Sequence, residues 1–229
     1  MVPTQRMPRE QRREQLIGVA TAMFADSGYH TTSMDDVAEA AGVSKPVLYQ
    51  HFTSKKDLYL AAIDAAAATF DASVRSALQA TENNEERVYS TFSAFFTFVS
   101  ENRNEFIVLF CADSYEPEAV RRADAVRRRI ASQIAELITR YTYATLDEAL
   151  LLAQGVVGIA EKAASQVVES ESMDPRSSAR LMAFMTYRGL TSMPRVDEVA
   201  PPGPDGSAEA RPWDVDYPGL PHPNPDHKE

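Results

Sequence analysis

Cysteine occurs once in the 229 residues, at Cys111, and the four histidines form no Cys/His cluster at zinc-ligand spacing. Disulfides within the chain and structural zinc are thereby excluded, so the fold must come from apolar burial, for which 44% hydrophobic residues suffice. A lone thiol of this kind is expected to be reduced and buried, as in a cytoplasmic protein. Long apolar runs are also missing: the longest, Ala149 to Ala160, is interrupted by Gln154 and is too short to cross a bilayer. Near the N-terminus Arg6, Arg9, Arg12 and Arg13 lead into helical periodicity, not into an apolar secretory stretch. No membrane partner is expected. Neither strand-type alternation nor an internal repeat is visible. His30 and His51 lie early in the chain and His222 and His227 at its end, so the middle has no histidine to act as a general base. No nucleophile has a visible partner, and nothing argues for an enzyme, a metal or a cofactor.

Positive charge is scarce, with 23 Lys and Arg against 33 Asp and Glu, a formal net charge of -10. The imbalance is not uniform. Residues 1–61 hold equal numbers of acidic and basic side chains, so the whole excess of negative charge belongs to residues 62–229. A neutral N-terminal segment on an acidic body would bind duplex DNA only where it fits, because the body repels phosphates.

Apolar residues recur at helical spacing through most of the chain, which predicts an all-α protein. Leu16, Val19, Ala20, Met23 and Phe24 mark a first helix from Gln11 to Ala25, stopped at Gly28. Thr32 with Asp35, or Ser33 with Asp36, has the spacing of a capping box for a second helix, broken by Gly42. Ser44 caps a third, with Pro46 in its first turn and Val43, Leu48 and Phe52 facing inward. Helices this short are unstable alone, so the pair must pack across each other on the first helix as a helix-turn-helix. Thr53-Ser54 opens a long fourth helix at Lys55 that carries Leu58, Ile63, Ala66, Phe70, Val74 and Leu78 on one flank and joins this head to the body. Further helices are expected over 85–102, 105–114, 118–142, 146–169 and 175–191. Nine of the 14 prolines lie beyond Met193, which predicts a mostly disordered tail in which Trp213 and Tyr217 either dock on the body or stay mobile. The resulting division is a flexible basic arm (1–10), a helix-turn-helix domain (11–61), a ligand-binding and dimerisation domain (62–193) and the Pro-rich tail (194–229).

The second short helix of such a motif enters the major groove. Its exposed side offers Ser44, Lys45, Pro46, Tyr49, Gln50 and His51. Lys45 and Gln50 suit directional hydrogen bonds to base edges, and Pro46 an apolar contact such as a thymine methyl. Thr32, Ser33, Tyr49, His51, Lys55 and Lys56 surround that helix and suit phosphates. Tyr49 has packing at the domain surface as its alternative, and His51 the capping of a helix end. The arginines at positions 6, 9, 12 and 13 either lie along a minor groove or on phosphates, or form a frayed terminus.

Gly28-Tyr29 with Thr32, Met34 and Val37-Ala38, then Ala41 to Phe52 and Ser54-Lys55-Lys56-Asp57-Leu58, resemble the DNA-binding domain of the TetR family over residues 11–61 in both spacing and residue type. The resemblance implies an all-helical homodimer, a pseudo-palindromic operator in double-stranded DNA, and a ligand cavity in the C-terminal domain. Val43 to Phe52, with Leu109-Phe110 and Glu116-Pro117-Glu118, is similar to actinobacterial TetR-type regulators of fatty-acid biosynthesis, which implies a long-chain acyl-CoA effector. The acidic Glu82 and Glu85 and the Pro-rich tail depart from that pattern.

In the body, the stretch from Leu150 to Ala160 is apolar nearly all round and holds Gly155 and Gly158. Paired with Leu181, Met182, Phe184, Met185 and Leu190, it suits either a four-helix interface across a two-fold axis or an ordinary core. Aromatics crowd the middle of the chain. Phe70, Tyr89, Phe92, Phe96, Phe106 and Phe110, with Cys111 among them, are the candidate lining of a lipophilic cavity, the alternative being a plain core. A DNA-binding regulator without a ligand, or an architectural DNA protein, remains the competing function.

Overall fold

The computed structural model describes residues 7–111, 116–170 and 173–191. These are helical: α1 (Arg9–Thr31), α2 (Met34–Ala40), α3 (Lys45–His51), α4 (Lys55–Gln79), α5 (Asn84–Glu101), α6 (Arg103–Phe106), a π-helical turn (Ile107–Cys111), α7 (Pro117–Tyr141), α8 (Leu146–Glu169) and α9 (Pro175–Thr191). Arg6 and the Pro-rich segment 194–229, with Trp213 and Tyr217, lie outside the described residues.

Local chemistry explains the short helices at the N-terminal end. Ser33 and Asp36 form the capping box of α2: the Asp36 N–H donates to Ser33 Oγ at 3.2 Å and the Ser33 N–H to Asp36 Oδ2 at 3.0 Å. Gly42 takes φ +65°, the left-handed turn that lets the Val43 N–H reach back to the Ala38 carbonyl at 3.0 Å and closes the end of α2. Pro46 sits in the first turn of α3, where a missing N–H leaves no gap in the helix ladder. Gly28 breaks the first helix as expected, its φ of 81° and ψ of 163° lying outside helical values, but one further turn then runs on to Thr31. The helix expected over 105–114 also needs correction: as far as Cys111 it is the single turn of α6 followed by a π-helical turn, whose i→i+5 bonding widens the helix, and 112–114 lie outside the described residues.

α2 packs on α1 and on α3, and the apolar sides of both seven-residue helices join one buried cluster with α1 and the start of α4. Val37, Leu48 and Phe52 are buried with Leu16 and Phe24 of α1 and Leu58, Tyr59 and Ile63 of α4. The Phe24 and Tyr59 rings meet edge to face at 4.9 Å. The same apolar cluster continues without a break along α4 through Ala66, Phe70, Val74 and Leu78 into the body. There α5 packs on α4 and α9, and α7 on α8 and α4, while α6 and the π-helical turn rest against α1 and α4. Charged side chains tie the long helices together, with Asp71 of α4 paired to Arg129 of α7 at 2.8 Å and Asp64 of α4 to Arg122. At roughly 37 Å, the helical rise over its 25 residues, α4 spans from head to far end of the body.

Candidate DNA-reading head and effector cavity

Ser44, Lys45, Pro46, Tyr49 and Gln50 form one continuous exposed face on α3, opposite the buried Leu48. Lys45 is drawn to Asp35 of α2, Nζ to Oδ1 at 2.7 Å, and that carboxylate holds its ammonium above the usual lysine value. The ammonium is thereby kept charged, and it has three N–H donors, more than the Asp35 contact uses, as reading base edges requires. Ser44 makes no side-chain cap bond, so its hydroxyl is uncommitted at the start of the helix. His51 is half-buried with Nδ1 lacking a partner; burial first, then Arg9, Arg13 and Arg12, hold its pKa below the usual histidine value. A neutral imidazole there contributes no positive charge toward phosphates at neutral pH.

Two residues assigned from sequence to phosphates, Thr32 and Lys55, are committed elsewhere. Thr32 is 3% exposed, and its hydroxyl donates to the Gly28 carbonyl at 2.9 Å, closing the kinked end of α1. Lys55 reaches back from α4 and donates to the carbonyls of Tyr29, His30 and Thr32 at 2.9, 3.2 and 3.0 Å, with its ammonium over the Tyr29 ring. Its work is to neutralise orphan carbonyls at the end of α1. Lys56 is half-exposed and pairs with Glu116 at 2.6 Å, the residue that caps α7. Ser33 is exposed and serves the α2 cap. The arginines at 9, 12 and 13 stand on α1 instead of an extended arm, and the Arg13 guanidinium lies 4.8 Å from the Phe52 ring centroid. Lys55→Ala should therefore lower stability by about 1–3 kcal/mol, the loss of charge-assisted hydrogen bonds, as read from urea midpoints. A protein of unchanged stability whose DNA binding merely became less salt-sensitive would restore the phosphate role.

The body holds a partly open cavity of about 460 Å³ between α4, α5, α7, α8 and α9, within the range of small-molecule sites. One end lies at the α4–α5 turn, where Glu82, Asn83 and Asn84 border it, so it is at the end of α4 remote from the head. A narrower space of about 60 Å³ continues inward, sharing Thr91, Phe92, Ile134 and Val156 as walls and ending at Phe70 and Phe110. At that inner end Arg127 and Glu161 turn their charges on each other at 2.9 Å. Burial pushes the Glu161 carboxyl above its usual pKa, and the guanidinium pulls it back.

The aromatic candidates divide. Phe70, Phe92 and Phe110 line this space, whereas Phe96 and Phe106 are fully buried core and Tyr89 is 41% exposed over outer grooves. Cys111 is not buried; it lies on the exposed side of the π-helical turn with Sγ 3.7 Å from Ser165 Oγ. The turn packs Phe110 against Phe106, at 5.5 Å between ring centroids, and leaves the next residue outside. Residues that aromatic content did not point to, among them Arg87, Thr91, Ile134 and Val156, make up much of the wall, and Tyr141 joins them. One signal was available for Arg87: it stands two turns before the buried Phe95 on the same helical face, where an apolar residue would be expected. Among the described residues, no group of three or more His, Cys, Asp or Glu side chains is placed to hold a metal ion, and no helix is long and apolar enough to cross a membrane.

Residues 16–62 match the model of bacterial regulatory proteins of the tetR family, and residues 84–187 match a tetracyclin repressor-like C-terminal domain. The HTH-type transcriptional activator FasR of Mycolicibacterium smegmatis is 33% identical over 191 residues, 82% of this chain and 87% of that protein. The chain belongs to the TetR family. Its TetR-type head and body also follow the fold of a TetR-like transcriptional regulator from Rhodococcus sp. RHA1, with a TM-score of 0.71 and 29% identity over 81% of this chain and 99% of that one. The HTH-type transcriptional repressor KstR2 of Mycobacterium tuberculosis is 30% identical over 116 residues, 51% of this chain and 55% of that protein. As a TetR-family member the chain is a DNA-binding transcription regulator and not an enzyme.

Proposed function

We propose that this regulator binds a pseudo-palindromic operator as a homodimer and that a lipophilic effector in the body cavity changes its grip. The observation that carries the reading is α4 itself. Its first half is core of the head, through Leu58, Tyr59 and Ile63, and its second half is wall of the cavity, through Phe70, Val74 and Leu78. A molecule that spreads the walls must move a helix that shares its apolar core with α3, aided by the contact of the π-helical turn with α1. The effector then acts by population shift, favouring whichever conformer it binds more tightly.

Residues 11–61 form the reading head in this proposal and 62–193 the ligand-binding and dimerisation body. Lys45, Gln50 and Pro46 read bases, with Ser44 and Tyr49 beside them; Lys56, Ser33 and the backbone at the helix starts position the duplex. Two heads need to reach grooves about 34–36 Å apart, or a multiple of that, which calls for a two-fold dimer. Its interface is the apolar face that α8 and α9 leave uncovered, where Leu151, Leu181 and Phe184 are 70, 66 and 63% exposed. Gly155 and Gly158 on α8 have open space where a side chain would stand, room for close approach of a second helix. Met182 and Leu190 turn inward instead.

For the effector we propose a long acyl chain, supported by the apolar inner walls and by the resemblance of the Val43 to Phe52 segment to regulators of fatty-acid biosynthesis, which implies an acyl-CoA. Selection of bound fragments from genomic DNA, followed by addition of acyl compounds, tests the whole proposal. Within it, Lys45→Ala and Gln50→Ala should each relax preference at particular base pairs, costing about 1–3 kcal/mol on the preferred operator and little on random DNA. Equal losses on all sequences would show that these side chains only anchor. A regulator without a ligand would show no rise in melting temperature with any acyl compound.

A further inference from the structure

The arginines of α7 that reach across to α4 or α8 each meet a carboxylate: Arg122 meets Asp64, Arg127 meets Glu161 and Arg129 meets Asp71. Arg87 of α5 does not follow this pattern. It is the most enclosed of these, with 7% of its side chain exposed, yet the carboxylate it approaches, Glu82 Oε2 at 3.7 Å, belongs to a side chain that is 96% exposed. Its other partners are neutral: Nη2 donates to the Thr81 carbonyl at 2.5 Å, Nη1 donates to Asn84 Oδ1, and the Tyr141 ring lies 5.9 Å away. Its Nε–H is buried without any acceptor. A guanidinium so withdrawn from water, with one solvent-exposed carboxylate at 3.7 Å as its counter-charge, is under-compensated, and an anion entering the cavity would make up the difference. Arg87 lines the cavity at the end bordered by Glu82 and Asn84, and the walls become apolar inward past Phe92 toward Phe70 and Phe110.

We propose that Arg87 is the head-group residue of this cavity and that it holds the carboxylate of a single-chain amphiphile whose apolar chain runs inward. The inference rests on the acyl-effector reading above and departs from it in the head group, taking a free acid in place of the acyl-CoA that the resemblance implies. The free acid is the form that fits, because the α4–α5 turn and the first turn of α5 carry Glu82, Glu85 and Glu86. A compact single charge reaches Arg87 past them, whereas the phosphates of a coenzyme A head would be brought against like charge on a body that already carries the chain's negative excess. A carboxylate also accepts from more than one guanidinium N–H, which a thioester carbonyl does less well.

Calorimetric titration of the full-length protein with palmitate, methyl palmitate, hexadecanol and palmitoyl-CoA tests this. Palmitate should bind about 10- to 100-fold more tightly than the ester or the alcohol, as a charge-assisted hydrogen bond predicts. In Arg87→Gln that preference should disappear while the ester and alcohol keep their affinity, and Arg87→Lys should restore part of it. A purely structural role at the α4–α5 turn would instead weaken all four alike. That uniform loss, or equal binding of acid and alcohol by the unaltered protein, overturns the head-group assignment and leaves the cavity reading standing, as does tighter binding of palmitoyl-CoA than of palmitate. Failure of all four to bind overturns both.

Discussion

Replacing Leu181 and Phe184 together by glutamate should leave the helices intact, turn the protein into a monomer and weaken operator binding by about a thousandfold, the advantage lost when two linked sites become independent. The fold should survive because both side chains point away from the core; what α9 buries is Ala179 and Ala183, with Met182, Tyr187 and Leu190 toward the interior. In the dimer the same substitutions act twice, because a two-fold interface presents each patch to its own copy. Carboxylates would then be pressed against the apolar surface around Leu151 and Ile159 and lose their hydration. Light scattering on a sizing column reads the mass, and titration of an operator duplex reads the affinity. A variant that stays dimeric and binds normally would move the interface to another surface.

Val156→Trp should give a protein that binds operator with near-normal affinity and no longer answers to effector. Val156 borders both the main cavity and its inner extension, so an indole at that position occupies the passage between them. Added volume in a packed core costs about 1–3 kcal/mol through strain, but here it enters existing space and the cost should be smaller. Ligand affinity should fall by two orders of magnitude or more, since a chain past Phe92 has nowhere to go; about 2.7 kcal/mol of ligand-induced stabilisation at a hundredfold excess over the original Kd would vanish with it. Ile134→Trp, from the opposite wall on α7, should do the same. Melting curves with and without acyl compounds, alongside operator titrations, decide it. An unchanged ligand response in both variants would place the effector outside this cavity.

How much was legible from residues alone depends on the range over which each signal acts. Capping is a matter of neighbours, and the sequence offered Thr32 with Asp35 or Ser33 with Asp36; the hydrogen bonds choose Ser33 because Thr32 is turned onto the carbonyl of Gly28. The exposed run of Lys45, Pro46, Tyr49 and Gln50 was readable because Leu48 and Phe52 fix the inner side of a seven-residue helix. Lys55 was not readable, for the opposite reason. Its ammonium is bound to carbonyls from 23 to 26 residues earlier in the chain, and no local pattern encodes that meeting. Aromatic content likewise marked a crowded body without separating Phe70, Phe92 and Phe110, which border empty space, from Phe96 and Phe106, which fill it.

The order of side chains along this chain determined that it would be helical, where its short helices would start and stop, and that a Gly42 turn would join two of them into a DNA-reading unit, since periodicity, caps and a left-handed glycine act within a few residues. Packing of distant helices decided the rest: which cations remain available to DNA, which phenylalanines border a cavity, and that Arg87 would be buried without a close, enclosed carboxylate. Burial and pairing depend on what lies opposite a side chain in space, and that is set only when α4, α5, α7, α8 and α9 close around one another.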